Sequence, residues 1–303
     1  MSFRKEHHQN LKVTTDFETA GSNFNEYSFD ELKNIWRDTL NKGIHGICFS
    51  MYEEGQGPGD MVSEEQVEKR IEILKPYTKW VRSFSCIEGN EYIPKVAKKH
   101  GIKTMVGAWL GSDLEKNEVE IQALIELGNQ GLVDIAAVGN EVLYRDELSI
   151  AQLISYINRV KAALPQVEVG YVDAYYKFSK YPELVEACDV ILSNCYPFWE
   201  GCPIDYSIHH MQKMFHQAQR VSQGKKVIIT ETGWPNKGGV EGGAIPSDIN
   251  AMKYFINTQV WSANDNIDVF YFSSFDESWK VGAEGDVGAY WGLWDKDEKL
   301  KYL

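Results

Sequence analysis

Residues 227–235 read Val-Ile-Ile-Thr-Glu-Thr-Gly-Trp-Pro, an apolar strand that carries Glu231 at its end and then breaks at a Gly/Pro turn. Residues 134–141 repeat this pattern, because Asp-Ile-Ala-Ala-Val-Gly-Asn-Glu is an apolar run that ends in Glu141. The carboxyl ends of parallel strands in a closed barrel meet at one face, where catalytic side chains lie. The two glutamates are therefore predicted to converge on one substrate bond, and paired carboxylates are typical of glycoside hydrolysis.

Short runs rich in β-branched and aromatic residues alternate with longer helical patterns along the chain. This alternation is typical of repeated βα units around a parallel sheet. The predicted strands lie at 44–50, 80–84, 103–108, 133–139, 167–172, 189–194, 226–230 and 268–274. The predicted helices between them lie at 63–77, 92–99, 114–128, 149–164, 181–187, 207–223 and 246–262. Eight strands in this order favour an α/β fold, a single (β/α)8 TIM barrel.

The eighth helix is the exception to this pattern. After Ser274 the chain has too little apolar periodicity for a helix of normal length, whereas residues 29–41, ahead of the first strand, are strongly helical. We expect this N-terminal helix to take the place of a reduced eighth helix. No linker or block of charge divides the sequence, so residues 1–303 are predicted to form one catalytic domain.

Composition and charge exclude some partners and favour others. With 44 acidic and 31 basic residues the net charge is -13, which provides no attraction for nucleic acid or for an anionic membrane surface. A neutral polymer is indifferent to that charge. Nine Trp and sixteen Tyr residues supply flat apolar faces on which sugar rings can stack, although most aromatic side chains belong to protein cores. Nothing in the sequence demands more than a monomer.

The sequence predicts neither a metal site nor a cofactor. The five cysteines are odd in number and lack paired C-x-x-C spacing, so free thiols are expected, with Cys195 and Cys202 the one pair that could meet across a loop. The glycine-rich segment 55–59 lacks the Lys-Ser/Thr of a phosphate-binding loop. The histidines at 209, 210 and 216 lie in a helix without an acidic metal-site pattern, which favours surface or packing roles.

The compartment is inferred from what the sequence contains at its start. Residues 1–10 are polar and charged, with no apolar signal segment, and no run approaches the length of a membrane span. As written, the chain is predicted to be a soluble cytoplasmic protein. It would be secreted or periplasmic if an export signal had been removed.

The ends of the predicted strands carry polar or aromatic side chains almost without exception. The substrate-binding candidates among them are Tyr52, Arg82, Asn140, Asp173, Asn194, Tyr196, Phe198, Trp199, Trp234 and Glu277. The aromatic members of this set, together with Trp279, are candidate sugar platforms, although each could instead plug the top of the barrel. Asp173 is expected to contact a hydroxyl group, and Arg82 either to assist Glu231 or to form a structural ion pair.

Several of these segments together resemble one known family. Ile-Ile-Thr-Glu-Thr-Gly-Trp-Pro-Asn around Glu231 is similar to the signature of glycoside hydrolase family 17, the β-1,3-glucanase family, and Val-Gly-Asn-Glu at 138–141 resembles its other catalytic strand. Further matches are 194–198, 275–280 and 292–294, in the family's order. They extend from the first half of the chain to near its end, which is hard to produce by chance.

The resemblance implies a (β/α)8 barrel with retaining chemistry on β-1,3-glucan and no cofactor. It implies that Glu231 is the nucleophile and that Glu141 is the acid/base. Glu277 and Lys280 match family positions that line the site, while an ion pair on the rim is the alternative. Retention requires the two carboxyl groups to lie about 5–5.5 Å apart.

The chemistry requires the two glutamates to differ in protonation at rest. Glu231 should be ionised, with help from donors or cations such as Arg82. Glu141 should be protonated, because burial and the neighbouring negative charge raise its pKa. Asn140 is placed to donate a hydrogen bond to the sugar 2-hydroxyl, an interaction that strengthens in the transition state.

Three alternatives remain open from the sequence. A transglycosylase that elongates or branches β-1,3-glucan would use the same two glutamates. A noncatalytic glucan-binding barrel would keep the aromatic side chains but would not need both carboxylates. A related barrel could act on another β-linkage. Endo or exo action and preferences for chain length or branches depend on the rim loops.

Overall fold

Eight parallel strands close into a barrel in sequence order, and the last strand is hydrogen-bonded to the first. The computed structural model describes residues 20–303. The strands are β1 Ile44–Cys48, β2 Thr78–Arg82, β3 Lys103–Ala108, β4 Ile135–Asn140, β5 Glu168–Ala174, β6 Ile191–Asn194, β7 Val227–Thr232 and β8 Val269–Tyr271. The predicted TIM barrel is confirmed.

Helices separate the strands and cover the outside of the barrel. They are α1 Phe29–Asn41, α2 Glu64–Leu74, α3 Tyr92–Lys99, α4 Leu114–Asn129, α5 Ile150–Ala163, α6 Lys177–Lys180, α7 Pro182–Ala187, α8 Ile204–Val221, α9 Asp248–Asp265 and α10 Val281–Glu284. Two short 3-10 turns, Ser278–Lys280 and Asp286–Ala289, flank α10. Apolar side chains from the strands and the inner helix faces form one continuous buried core.

Helix α1 takes the place of an eighth helix, as predicted. Ser28 caps it in a reciprocal capping box with Glu31, and its buried residues recur every four positions. The ring of Trp36 lies 5.5 Å from that of Phe255 on α9 and 5.1 Å from that of Tyr302 near the chain end. After β8, by contrast, only short turns and the four-residue α10 follow. The prediction of one domain over 1–303 also covers residues 1–19, which lie outside the described residues.

Some element boundaries differ from the predicted ones. The helix expected at 181–187 is α7, and the short helix α6, which was not predicted, precedes it. Pro182 has no N–H to continue α6. Strand β8 ends at Tyr271 rather than at 274. Beyond that point the N–H of Ser273 bonds to the carbonyl of Trp291, outside the barrel strands.

Irregular strand pairing is concentrated at the carboxyl ends of the strands that carry the two glutamates. The register shifts between β4 and β5 at Ala137 and Asn140, and between β6 and β7 where Asn194 pairs with Glu231. Such bulges re-aim the side chains at a strand end. This end of the barrel also buries polar side chains, namely Arg82, Asn140, Asp173, Asn194 and Glu231. A cluster of buried polar groups in an apolar barrel indicates a functional site.

Candidate active site

Both glutamates line one cavity at the carboxyl end of the barrel. The cavity has a volume of about 640 Å³, and Glu141, Glu231 and Asn140 are among the residues that form its wall. Glu231 comes from β7, and Glu141 follows β4 directly, with its N–H donating to the carbonyl of Val172 on β5 at 2.8 Å. The sequence prediction that these two carboxyl groups meet in one space therefore agrees with the structure.

Hydrogen bonds fix both carboxylate oxygens of Glu231. Arg82 Nη1 donates to Oε1 at 2.6 Å and the hydroxyl of Tyr196 donates to Oε2 at 2.9 Å. Arg82 is itself buried, with its guanidinium 4.2 Å from the ring centroid of Phe84. A buried guanidinium beside a carboxylate stabilises the ionised form of that carboxylate. These contacts suit Glu231 to act as an oriented anion.

Glu141 lies in surroundings that favour the protonated form. Burial, reinforced by the negative charges of Glu231 and Asp173, raises the pKa of Glu141 to about 8. A hydrogen bond from Asn194 Nδ2 to Oε1, at 2.9 Å, and the charge of Arg145 oppose this rise without cancelling it. The side chain keeps partial exposure to the cavity, so its proton can reach a bound substrate.

Asn140 is linked to Glu231 through Arg82. Arg82 Nη2 donates to Asn140 Oδ1 at 2.8 Å, which orients the amide so that Nδ2 is the group left to donate into the cavity. One guanidinium thus holds both Asn140 and Glu231. This arrangement fits the predicted contact of Asn140 with a sugar hydroxyl.

A buried ion pair forms another part of the cavity wall. Lys280 Nζ pairs with Glu277 Oε2, and it also lies 4.0 Å from the ring centroid of Phe272. Burial lowers the pKa of Lys280, but the charges of Glu277 and Glu284 outweigh it and raise the pKa overall. The two readings of Glu277 and Lys280 are therefore compatible, since they form an ion pair and also line the cavity.

Aromatic side chains complete the cavity. Tyr52, Tyr196, Trp199 and Trp279 all line it, as four of the predicted sugar platforms should. Tyr52 meets Trp279 edge to face, with ring centroids 5.9 Å apart, and Trp279 is 38% exposed. An exposed indole beside paired carboxyl groups can stack on a sugar ring.

The profile of the BtgE/BtgC glycoside hydrolase domain matches residues 46–292, which is most of the chain. The protein belongs to this glycoside hydrolase family.

Individual relatives agree with that assignment. The chain is similar to a glucan 1,3-beta-glucosidase of Arthroderma benhamiae, 29% identical over 266 residues that cover 80% of this chain and 85% of the relative. It is 30% identical over 256 residues to one of Schizosaccharomyces pombe, covering 77% and 78%. The crystal structure of a glycoside hydrolase family 17 beta-1,3-glucanosyltransferase from Rhizomucor miehei is 30% identical in sequence, with a TM-score of 0.77, and the match covers 86% of this chain and 96% of that one.

Three predicted substrate contacts of this glycoside hydrolase are wrong, because their side chains lie inside the protein. Asp173 is fully buried and accepts hydrogen bonds from the hydroxyl of Tyr171 and the N–H of Ala174. Phe198 and Trp234 pack on each other with centroids 5.2 Å apart, and Trp234 Nε1 donates to the carbonyl of Ile245. The two rings plug the top of the barrel, which was the alternative reading.

Two further candidates in the glycoside hydrolase act on the glutamates rather than line the cavity. Arg82 holds Glu231, as one of its two predicted roles required. Asn194 uses its whole amide, with Nδ2 on Glu141 and Oδ1 accepting from Thr230 Oγ1 at 2.8 Å. Their positions in the sequence indicated that they lie near the site, but could not indicate the direction in which their side chains point.

Trp109 is a cavity residue that the sequence analysis did not select. It is 40% exposed, and the guanidinium of Arg145 covers one face of its ring at 4.6 Å from the centroid. Arg145 is fixed in turn by the carbonyls of Asn140 and Leu110. The position of Trp109 at the end of β3 was the available signal. Glu284 on α10 was also missed, and burial raises its pKa to about 7.

Other groups in the described residues have structural explanations. All five cysteines are free and buried, as expected. His210 bonds to Glu200 and His216 to the carbonyl of Gln212. Within 20–303, Glu68, Glu72 and His100 lie close enough to hold a metal ion, but Glu68 is already paired with Lys99 and His100. No helix in this part of the chain is long and apolar enough to cross a membrane.

Proposed function

We propose that this glycoside hydrolase cleaves β-1,3-linked glucan with net retention and is a member of glycoside hydrolase family 17. The observation that carries the proposal is the pair of carboxyl groups in one cavity, one held by hydrogen bonds from Arg82 and Tyr196 and the other with a pKa raised by burial. Relatives named for 1,3-beta-glucosidase activity and the Rhizomucor glucanosyltransferase support the linkage. The aromatic lining suits a sugar polymer.

In the first step Glu231 attacks the anomeric carbon and Glu141 gives its proton to the glycosidic oxygen. The carbon–oxygen bond breaks, the sugar on the reducing side leaves with its new hydroxyl, and a covalent glucosyl ester forms on Glu231. Glu141 is then a carboxylate. It takes a proton from water as the water oxygen attacks the same carbon, and Glu231 leaves as a carboxylate with Glu141 protonated again.

The experiment that tests these roles uses azide as a small nucleophile. With an aryl β-glucoside bearing a good leaving group, Glu141→Ala should recover activity with azide and give the β-glucosyl azide, because Glu231 still forms the ester. Glu231→Ala should instead give the α-glucosyl azide by direct displacement. The exposed Glu183 serves for a matched control, Glu183→Gln, which should behave as the wild type. If both variants gave the same anomer, the proposed roles would be wrong.

Transfer to a second sugar is the other candidate function. It is favoured by the similarity to the Rhizomucor beta-1,3-glucanosyltransferase and by the exposed ring of Trp109, which can hold an acceptor sugar. An acceptor hydroxyl would replace water in the second step. Digestion of a laminari-oligosaccharide labelled at its reducing end distinguishes the two outcomes, since hydrolysis gives only shorter products and transfer gives longer or branched ones. Products from β-1,4-glucan alone would overturn the substrate proposal.

A further inference from the structure

Asp173 is a buried charge next to the acid/base candidate. The residue before it on β5, Val172, accepts the N–H of Glu141, so Asp173 and Glu141 stand at adjacent strand ends. The side chain of Asp173 has no exposure and does not line the cavity, so it cannot touch a sugar. A buried carboxylate is costly unless hydrogen bonds and opposite charges compensate for its lost hydration.

The contacts of Asp173 lead to the backbone turn that carries Glu141. Its carboxylate accepts from the hydroxyl of Tyr171, and that hydroxyl accepts the N–H of Leu143 at 2.9 Å. Lys177 Nζ donates to the carbonyl of Leu143 at 3.4 Å. Both backbone groups of Leu143, two residues after Glu141, are therefore held by this cluster.

That turn needs to be held. Glu141 has φ 53°, a left-handed conformation that favours glycine and costs a side-chain-bearing residue about 1 kcal/mol or more. Such a conformation persists only where the surrounding contacts fix it. The hydrogen bonds that link Asp173 to Tyr171 and Tyr171 to Leu143 supply those contacts.

We propose that Asp173 is a positioning residue for Glu141. Its buried carboxylate fixes the turn that presents Glu141 and places a negative charge beside it, so that Glu141 keeps its proton at the pH where it must donate one. This inference rests on the proposed acid role of Glu141.

The other charged groups around this pair are consistent with that role. Glu141 faces Glu231 from β7, the amide of Asn194 from β6 and Arg145 from its own loop. Asp173 faces Tyr171 on its own strand, Lys177 on α6 and Arg145. Burial raises the pKa of Asp173 to about 6, so the carboxylate is ionised above that pH and neutral below it.

The test is the pH profile of kcat/KM for Asp173→Asn, which keeps the shape and removes the charge. The basic limb of the variant should move to lower pH by roughly half a unit or more, so the variant should fall below the wild type as the pH approaches and passes the pKa of Glu141. Below pH 6 the two enzymes should converge, because Asp173 is then neutral in both. A dinitrophenyl glycoside, whose leaving group needs no proton, should show little of this difference in its first step.

Asp146→Asn is the matched control, since Asp146 is exposed on the same loop five residues after Glu141. Its profile should follow the wild type. A loss of Asp173→Asn activity that is equal at all pH values and equally large with the dinitrophenyl glycoside would mean a merely structural role and would overturn the proposal.

A second measurement needs no variant of Asp173. The side-chain carboxyl carbon of Glu141, followed by 13C NMR in the wild type, should show a small step near pH 6 before its own titration; its absence would count against the proposal. The azide experiment on Glu141→Ala separates the two hypotheses. If azide rescues Glu141→Ala and gives the β-glucosyl azide, but Asp173→Asn does not change the pH profile, only this inference is rejected. If azide does not rescue Glu141→Ala, the acid role of Glu141 itself is rejected.

Discussion

Individual side chains in the cavity are specialised by their hydrogen-bond partners. Glu231 receives two donors, one of them a guanidinium, whereas Glu141 receives one amide and two unfavourable charges. Two chemically identical residues therefore have different surroundings, and those of Glu141 favour its protonated form. Sequence reasoning identified both glutamates because each ends an apolar strand. It could not assign Asn194 to Glu141, because the direction of an amide depends on contacts between different strands.

Removal of the Tyr196 hydroxyl tests how Glu231 is held. We expect Tyr196→Phe to lower kcat/KM by roughly 10- to 100-fold, since a hydrogen bond to a charged group contributes about 1.5–3 kcal/mol. Tyr175→Phe is the matched control, because Tyr175 also donates to a buried carboxylate, that of Glu200, but does not line the cavity. Steady-state kinetics and thermal unfolding of both variants provide the measurement. Equal losses of activity would contradict a specific role for Tyr196.

Trp109, directly after β3, forms a platform for a sugar ring. Its position at the end of a strand did not predict how the indole is held. Arg145, from the loop after β4, covers one face of Trp109 and leaves the indole partly open to the cavity. The sequence placed Trp109 at a strand end but did not indicate this stacking, since the two residues are 36 positions apart. The same limit explains Phe198 and Trp234, whose rings pack edge to face on each other and do not line the cavity.

Truncation of this platform should weaken binding of long substrates. We expect Trp109→Ala to raise KM for laminari-oligosaccharides by roughly 2- to 10-fold, as loss of about 0.5–1.5 kcal/mol of aromatic stacking implies. Hydrolysis of a small aryl glucoside should change little, because it does not reach the indole. Trp80→Ala, at a half-buried indole that packs on His45 outside the cavity, is the control. A similar KM effect in both variants would refute the platform.

The turn after β7 depends on a glycine. A Cβ at Gly233 would lie 2.1 Å from the carbonyl oxygen of Phe272, so β7 and β8 could not keep their spacing. We expect Gly233→Ala to displace Glu231 and to lower the free energy of unfolding by about 1–3 kcal/mol. Gly282→Ala, where the added carbon meets nothing within 4 Å, should stay near the wild type. Denaturant unfolding and kcat/KM would show the contrast, and equal stability of the two variants would argue against it.

The barrel as an assembly was predictable because many weak signals agreed. Eight apolar runs, the helices between them and a strong helix at 29–41 all fit one closed topology. The buried polar end of the barrel was less predictable. Asp173 follows the strand-end pattern as well as Glu231 does, yet it faces protein, because which neighbours enclose a side chain is decided by packing over the entire fold.

The raised pKa values of carboxyl groups in the cavity should make the free energy of unfolding depend on pH. Burial and neighbouring charge raise the pKa of Glu141 to about 8, and burial raises that of Glu284 to about 7. Between the ordinary carboxyl pKa and these values the folded state binds more protons than the unfolded state, so the free energy of unfolding falls as pH rises. Burial lowers the pKa of His45 to about 4, which has the opposite effect up to about pH 6.5. The net fall should therefore be clearest from about pH 6.5 to 8.

Glu141→Gln isolates the contribution of the acid/base candidate. The variant cannot ionise at that position, so it should be more stable than the wild type at pH 8 by an amount on the order of 2 kcal/mol. The difference should shrink toward pH 5, where Glu141 is protonated in the folded protein. Urea unfolding at several pH values measures it, with Glu183→Gln as the exposed control. A stability difference that does not depend on pH would mean that Glu141 is not held protonated, and the proposed division of roles between the two glutamates would fail with it.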